Sequence, residues 1–222
     1  MRKSSFQQLL GAALAVESGF NSSRYWEERY RSGRNSGAGS YGRLAEFKAD
    51  FLNNFYERNS IASHIDFGVG DGNQLRLLKP PSYIGVDVSP TVINRARETF
   101  ATHRQYRFLL TSELQGIDRC DLASSIDVIY HLIEDSVFEE YMRRLFLFAR
   151  RFVIIYSSNI ENLPGAVHVK HRKFTQFVED HLPEWRLVRH IPNLYPFDPS
   201  RRNDTSFADF YLFAVPGEEA RF

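Results

Sequence analysis

With 222 residues the chain has enough material for one α/β domain with a full core, with room for an N-terminal extension. Lys and Arg number 28 against 27 Asp and Glu, a net charge of +1, so no global field draws the protein to nucleic acid or to a membrane surface. The single cysteine, Cys120, excludes an intramolecular disulfide framework and suits a reducing cytoplasm, and no apolar run approaches the ~18 residues of a membrane span.

The first element expected is a short docking helix over residues 4–17. Arg2-Lys3 and the apolar stretch 9–16 faintly resemble a signal peptide, but the stretch is short and no small-x-small cleavage site follows it. Residues 23–31 read as a second short helix, capped by Ser22 or Ser23. The loop 32–42 is dense in Gly and Ser, which either makes a flexible linker or lets the backbone wrap a ligand through a nest of N–H groups. Arg34, Asn35, Tyr41 and Arg43, interleaved with the glycines, argue against an idle linker. Residues 43–58 carry Leu44, Phe47, Phe51, Leu52 and Phe55 at helical spacing, with Lys48 read as solvated on the other side.

A strand at 64–67 then breaks into a loop with glycine at 68, 70 and 72, followed by an amphipathic stretch with Leu75, Leu77 and Leu78 that reads as a helix. Further strands are expected at 83–88, 106–110, 121–125 and 152–156, the last apolar throughout and so buried on both sides. Helices are expected at 91–102, begun by Ser89-Pro90, at 135–149 and at 172–182. Two final strands, 185–191 and 207–215, form a hairpin whose long connection runs through Pro192, Pro196 and Pro199.

Strand, glycine loop and helix let a backbone approach a nucleotide-like ligand closely. A dinucleotide fold wants Gly-x-Gly-x-x-Gly, and the third glycine would fall on Asn73; what stands here is Asp66-x-Gly68-x-Gly70-x-Gly72. Asp87 closes the next strand, where an acid can accept from both ribose hydroxyls, or else cap the helix beginning near Pro90. The glycine pattern resembles motif I of the class I S-adenosylmethionine (SAM)-dependent methyltransferases, and residues 84–90, Ile-Gly-Val-Asp-Val-Ser-Pro, resemble their second motif. Residues 126–132 are similar to the segment that follows strand four in that family.

The resemblance covers residues 64–160 best. It implies an α/β fold, a Rossmann-like seven-stranded methyltransferase sheet with helices on both faces and the last strand antiparallel. Residues 63–222 would form the core, and residues 1–62 N-terminal helices and a lid. It implies SAM as cofactor and S-adenosylhomocysteine (SAH) as product, held by Asp66, Gly68, Gly70, Gly72, Asp87 and its neighbour Val88, with Ser112 near the adenine. Tyr30, Ser36 and Gly37 belong to a segment that looks like a lid closing over the cofactor; Asp127 would lie near its methionine end, and Lys48 has the reach for its carboxylate.

Methyl transfer is an in-line displacement, in which orientation supplies much of the acceleration and an alcohol acceptor benefits from a base. His131 is the first candidate for that base, its alternative being a histidine that caps a helix or bonds inside the fold. Asp127 is the second, orienting His131 or accepting from the acceptor, or simply stabilising its turn. His168, His171 and Arg172, with Tyr41 of the lid, are candidates for substrate binding, since two histidines among cationic residues can grip a phosphate or a carboxylated sugar. The spacing of His168 and His171 would share a helix face and suits a metal, but no carboxylate partner is evident, so no metal is expected.

The lid pattern together with His-x-x-His-Arg is similar to methyltransferases of cell-surface or viral glycan synthesis, which implies a sugar or glycan hydroxyl as acceptor and no nucleic-acid partner. The aromatic content of 14% fits a sugar-stacking pocket and an ordinary core equally. Neither an Asn-Pro-Pro-Tyr motif nor a Pro-Cys nucleophile of DNA methyltransferases occurs. The expectation is a cytoplasmic SAM-dependent O-methyltransferase; the alternatives are another small-molecule or protein acceptor, a non-catalytic SAM-binding protein, and a nicotinamide enzyme.

Overall fold

The computed structural model describes residues 19–161 and 166–222, so the helix expected over 4–17 lies outside the described residues. Five α-helices are described: α1 (Ser22–Arg31), α2 (Gly42–Arg58), α3 (Pro90–Thr99), α4 (Asp135–Leu147) and α5 (Phe174–His181). The strands are β1 (His64–Phe67), β2 (Tyr83–Asp87), β3 (Tyr106–Leu110), β4 (Cys120–Ile126), β5 (Ala149–Ser157), β6 (Arg186–Ile191) and β7 (Asp209–Ala214). They form one seven-stranded sheet in the order β3-β2-β1-β4-β5-β7-β6. β1 to β5 pair in parallel, and β7 inserts antiparallel between β5 and β6. The strand order reverses between β1 and β4, so their carboxyl ends open the crevice where such sheets take ligands.

Side chains alternate along the central strands and supply two cores. Phe152, Ile154 and Tyr156 of β5 join Leu52 and Phe55 of α2 and Ile93 of α3 on one face. Val153 and Ile155 join Phe138, Met142 and Phe146 of α4 and Phe174 of α5 on the other. At the β3 edge, Arg97 donates to the Phe108 carbonyl at 2.8 and 3.0 Å and pairs with Glu113, which accepts from the Leu110 N–H. Those bonds occupy backbone groups that an edge strand otherwise offers to another chain.

Three local expectations are corrected. No α-helix follows β1: Leu75–Leu77 makes a single 3-10 turn, because Pro80 and Pro81 lie a few residues on and forbid its continuation. The apolar pattern there still packs, with Leu75 and Leu78 buried and Leu77 exposed. α1 is capped by Asn21, whose side chain accepts from the Arg24 N–H at 2.7 Å, rather than by Ser22 or Ser23. Lys48 is not on a solvated face but fully buried, since it follows Leu44 and precedes Leu52 by one turn each on the same stripe. Among the described residues no helix is long and apolar enough to cross a membrane.

α2 thus holds one wall of the core that contains Phe152, Ile154 and Tyr156. Leu52→Ala is expected to lower stability by about 2–5 kcal/mol, the usual cost of a buried leucine cavity, read as a shift of the urea midpoint at unchanged slope.

Candidate active site

The glycine loop starts where β1 ends. Gly68 and Gly70 have φ of +94° and +56°, and a Cβ on Gly68 would fall 2.3 Å from the Val128 side chain. A Cβ on Gly70 would fall 2.4 Å from Ser36 Oγ, so both positions require glycine by conformation and by space. Asp87 Oδ2 accepts from the Gly70 N–H and Oδ1 from the Ser89 N–H, each at 3.0 Å. The cap of α3 is Ser89, whose hydroxyl accepts from Val92. Burial pushes the Asp87 carboxyl up to about 6, with the amide donors of Ser89, Gly70 and Val88 opposing the shift.

Asp66 lies beneath the loop. Tyr83 OH donates to one of its oxygens at 2.8 Å and Ser124 Oγ to the other at 2.5 Å. Behind them His64 bridges Ser124 and Tyr56, and burial pushes its imidazole down to about 3, so it is neutral. Asp66 is therefore held by a buried hydroxyl network while it still borders the cavity.

The 32–42 segment is docked on this loop. The Ser36 N–H and Tyr41 OH both donate to Asp71 Oδ2 at 2.8 Å, and Ser36 Oγ accepts from the Asp71 N–H at 2.9 Å. Asn73 donates to the Ser40 carbonyl at 2.6 Å, so the residue that breaks the dinucleotide pattern holds the 32–42 segment. α1 is anchored beside it, with Glu27 accepting from the Ser89 and Thr91 hydroxyls at the start of α3.

The opposite wall is built around Asp127, which stands at φ +61° just past β4. One of its oxygens pairs with the buried Lys48 ammonium and the other accepts from Tyr130 OH at 2.8 Å. His131 ends the 3-10 turn Ile129–His131 and donates from Nδ1 to the His168 carbonyl at 2.8 Å. That bond leaves the Nε2 lone pair as the ring's acceptor. Burial pushes the His131 imidazole down to about 4, partly offset by this carbonyl, so it is uncharged near neutrality. Trp26 meets it edge-on at 4.8 Å and His168 stacks on it at 5.4 Å.

These groups surround one cavity of about 310 Å³. Of the candidates from the sequence, Asp66, Gly68, Gly70, Asp87, Val88, Tyr30, Ser36, Asp127 and His131 line it. The others stand elsewhere. Gly72 packs against Phe100, and Tyr41 is engaged by Asp71 on the surface. Gly37, at φ +97°, bends the 32–42 segment without reaching the lining. Ser112 is exposed, and its neighbour Thr111 faces the cavity instead.

His168, His171 and Arg172, expected at the substrate, stand outside the lining of this cavity. His168 and His171 are in a loop rather than on a helix and do not share a face. His168 stacks between Tyr25 and His131, and His171 Nδ1 bonds Ser158 Oγ at 2.6 Å. Arg172 donates to the Leu132 and Ile133 carbonyls at 2.7 and 3.0 Å. Lys48, weighed in the sequence for its reach but read as solvated, lines the cavity, its place between Leu44 and Leu52 being the signal; Gln74 lines it unforeseen and carries no signal beyond following the glycine loop.

The lining also states what ligand it suits. Gln74 donates to the Ala45 carbonyl at 2.9 Å, and its Oε1 is buried with no partner among the described residues. A waiting acceptor and four carboxylates, Asp66, Asp87, Asp127 and Glu140, around a glycine-floored cavity suit a ligand bearing an ammonium, a sulfonium and a diol. A family model for a methyltransferase domain matches residues 40–151, which spans half of the chain.

The chain belongs to the methyltransferase-domain family.

No curated protein matches it by sequence. Among solved structures it is similar to the magnesium protoporphyrin IX methyltransferase of Synechocystis PCC 6803 with bound SAM, at TM-score 0.60 and 14% identity over 88% of this chain and 98% of that one. It is similar also to the N-methyltransferase NodS of Bradyrhizobium japonicum WM9 in complex with SAH, at 0.58 and 14% over 78% and 87%. The small RNA methyltransferase HEN1 matches at 0.56 and 16% over 82% of this chain and 26% of that one. At such identities the likeness is one of fold. SAM is the cofactor of the methyltransferase and SAH its product.

Asp87 supplies a pH test. A ligand diol donating to it would favour the ionised carboxylate, and such binding would lower a folded-state value that burial has raised to about 6. SAH affinity is expected to rise with pH up to about 6 and to be flat above it. Asp87→Asn is expected to abolish that dependence and weaken binding roughly ten- to a hundredfold, the size of lost charged hydrogen bonds, as read by calorimetry across pH 5–8.

Proposed function

We propose that the methyltransferase acts on oxygen, and that its acceptor is a sugar or glycan hydroxyl whose proton passes to His131. The observation that carries this reading is the His131 ring, with Nδ1–H committed to the His168 carbonyl and the Nε2 lone pair left for a donor at the cavity wall. A base is useful to a hydroxyl acceptor, whose oxygen loses a proton as it gains the methyl carbon. SAM, when bound, supplies a methyl on a sulfonium, whose carbon–sulfur bond breaks as the oxygen–carbon bond forms. The chain's part is to hold the acceptor oxygen in line and to receive the proton.

Asp127 has a positioning role in this reading, because both its oxygens are already engaged by Lys48 and Tyr130. The cations of the lining favour an uncharged acceptor: Lys48 is paired with Asp127 and Arg144 with Glu140, which leaves neither free for a phosphate. Trp26, beside His131, gives a sugar ring an apolar edge to lie against. A cytoplasmic location belongs to the same proposal and is supported by the lone, reduced Cys120.

The test is methyl uptake from labelled SAM by a panel of neutral glycans, small amines and short RNAs. Uptake into a glycan hydroxyl is expected, with His131→Ala lowering kcat by about 10²–10⁴ while SAH affinity stays within about twofold. Uptake confined to amines or RNA, or full turnover by His131→Ala, would overturn the reading.

A further inference from the structure

Residues 168–172 do not line the cavity, yet they hold the turn that carries His131 residue by residue. The Lys170 N–H donates to the Tyr130 carbonyl at 2.8 Å. The His168 carbonyl accepts from His131 Nδ1 at 2.8 Å. Arg172 donates to the Leu132 carbonyl at 2.7 Å and to the Ile133 carbonyl at 3.0 Å. Four successive residues, 130 to 133, are thereby bonded to one segment. Asp135 locks that segment in turn, accepting from Lys170 at 2.6 Å and from Arg172 at 2.7 Å. The guanidinium also lies over the Phe138 ring at 4.5 Å, and the side chain is 15% exposed.

A three-residue 3-10 turn has poor internal hydrogen bonding and leaves the carbonyls at its end unsatisfied. A free imidazole populates both neutral tautomers, and only one of them presents a lone pair at Nε2. We infer that Arg172 is a positioning residue: by gripping the Leu132 and Ile133 carbonyls it holds the 129–133 turn against residues 168–170, and so fixes the His131 tautomer that leaves Nε2 as the ring's acceptor. The catalytic value of this arrangement rests on His131 being the base. The arrangement itself does not. Arginine suits the position because its planar fork meets two carbonyls and a carboxylate at once, whereas a lysine ammonium meets one or two at a time with no fixed plane.

Long-range proton–nitrogen NMR of the imidazoles tests this without an acceptor. In the full chain His131 is expected as the Nδ1–H tautomer, titrating near 4. In Arg172→Met the Nε2–H form is expected to appear and the midpoint to rise toward the ordinary ~6.5, with SAH affinity unchanged. Arg172→Lys is expected in between, and Asp135→Asn, at an exposed carboxylate, is expected to shift the same way by less. A folded Arg172→Met with the wild-type tautomer and midpoint overturns the inference. If that variant fails to fold, wild-type values in both Arg172→Lys and Asp135→Asn overturn it equally. On an accepted glycan, Arg172→Met is expected to lower kcat roughly ten- to a hundredfold. Full turnover by His131→Ala would remove the base reading while leaving the tautomer result standing, so the two failures are separable.

Discussion

A buried ammonium facing a half-buried carboxylate ties the two halves of the site together. Lys48 is fully buried in α2, and Asp127 sits at the end of β4 in a left-handed conformation. The ammonium is not tolerable there alone, since an unpaired buried ion costs several kcal/mol. Pairing satisfies both and fixes the distance between the helix and the strand end. The Tyr156 ring lies 5.2 Å from the same ammonium, and Tyr130 OH holds the second carboxylate oxygen. The 32–42 segment approaches the same point, because a Cβ on Gly39 would fall 2.8 Å from Asp127 Oδ2. One ion pair therefore joins α2 to the end of β4, with the 129–131 turn and the 32–42 segment packed against it.

Around that junction the site divides by chemistry. On the side of β1 and β2 the groups that matter are backbone amides, glycines and the Asp87 carboxylate, arranged for a polar ligand at the strand ends. The hydroxyl network of Tyr83, Ser124, His64 and Tyr56 keeps the Asp66 carboxyl satisfied below them. On the side of β4 the groups are aromatic and imidazole rings, with Trp26, His131 and His168 in contact. The first arrangement suits binding of SAM, and the second suits exclusion of water around an acceptor and the handling of one proton.

Much of this was legible in the chain. β5 was readable because every residue from Phe152 to Tyr156 is apolar, which suits only a strand covered on both faces. The glycine loop and Asp87 were readable because few residue types fit those conformations and contacts. Lys48 was misread because its charge was weighed above its spacing, although Leu44 and Leu52 place it on the buried stripe. The partner that makes its burial tolerable lies 79 residues away. The helix expected after β1 failed on Pro80 and Pro81, which were in plain view. His168, His171 and Arg172 suggested a ligand grip because cations and imidazoles at short spacing resemble one. Their hydrogen bonds go instead to Leu132, Ile133, Ser158 and the His131 ring, contacts that only the folded chain brings together.

Lys48 and Asp127, paired in the lining, act as one unit in shaping the cavity. The direct measurement is a double-mutant cycle in SAH affinity by calorimetry, using Lys48→Met, Asp127→Asn and the double variant. The account predicts that each single substitution weakens binding and that the double is no weaker than the poorer single, a coupling of about 1 kcal/mol or more. Losses that add to within about 0.3 kcal/mol would contradict it, and would mean that the two residues serve the cavity independently.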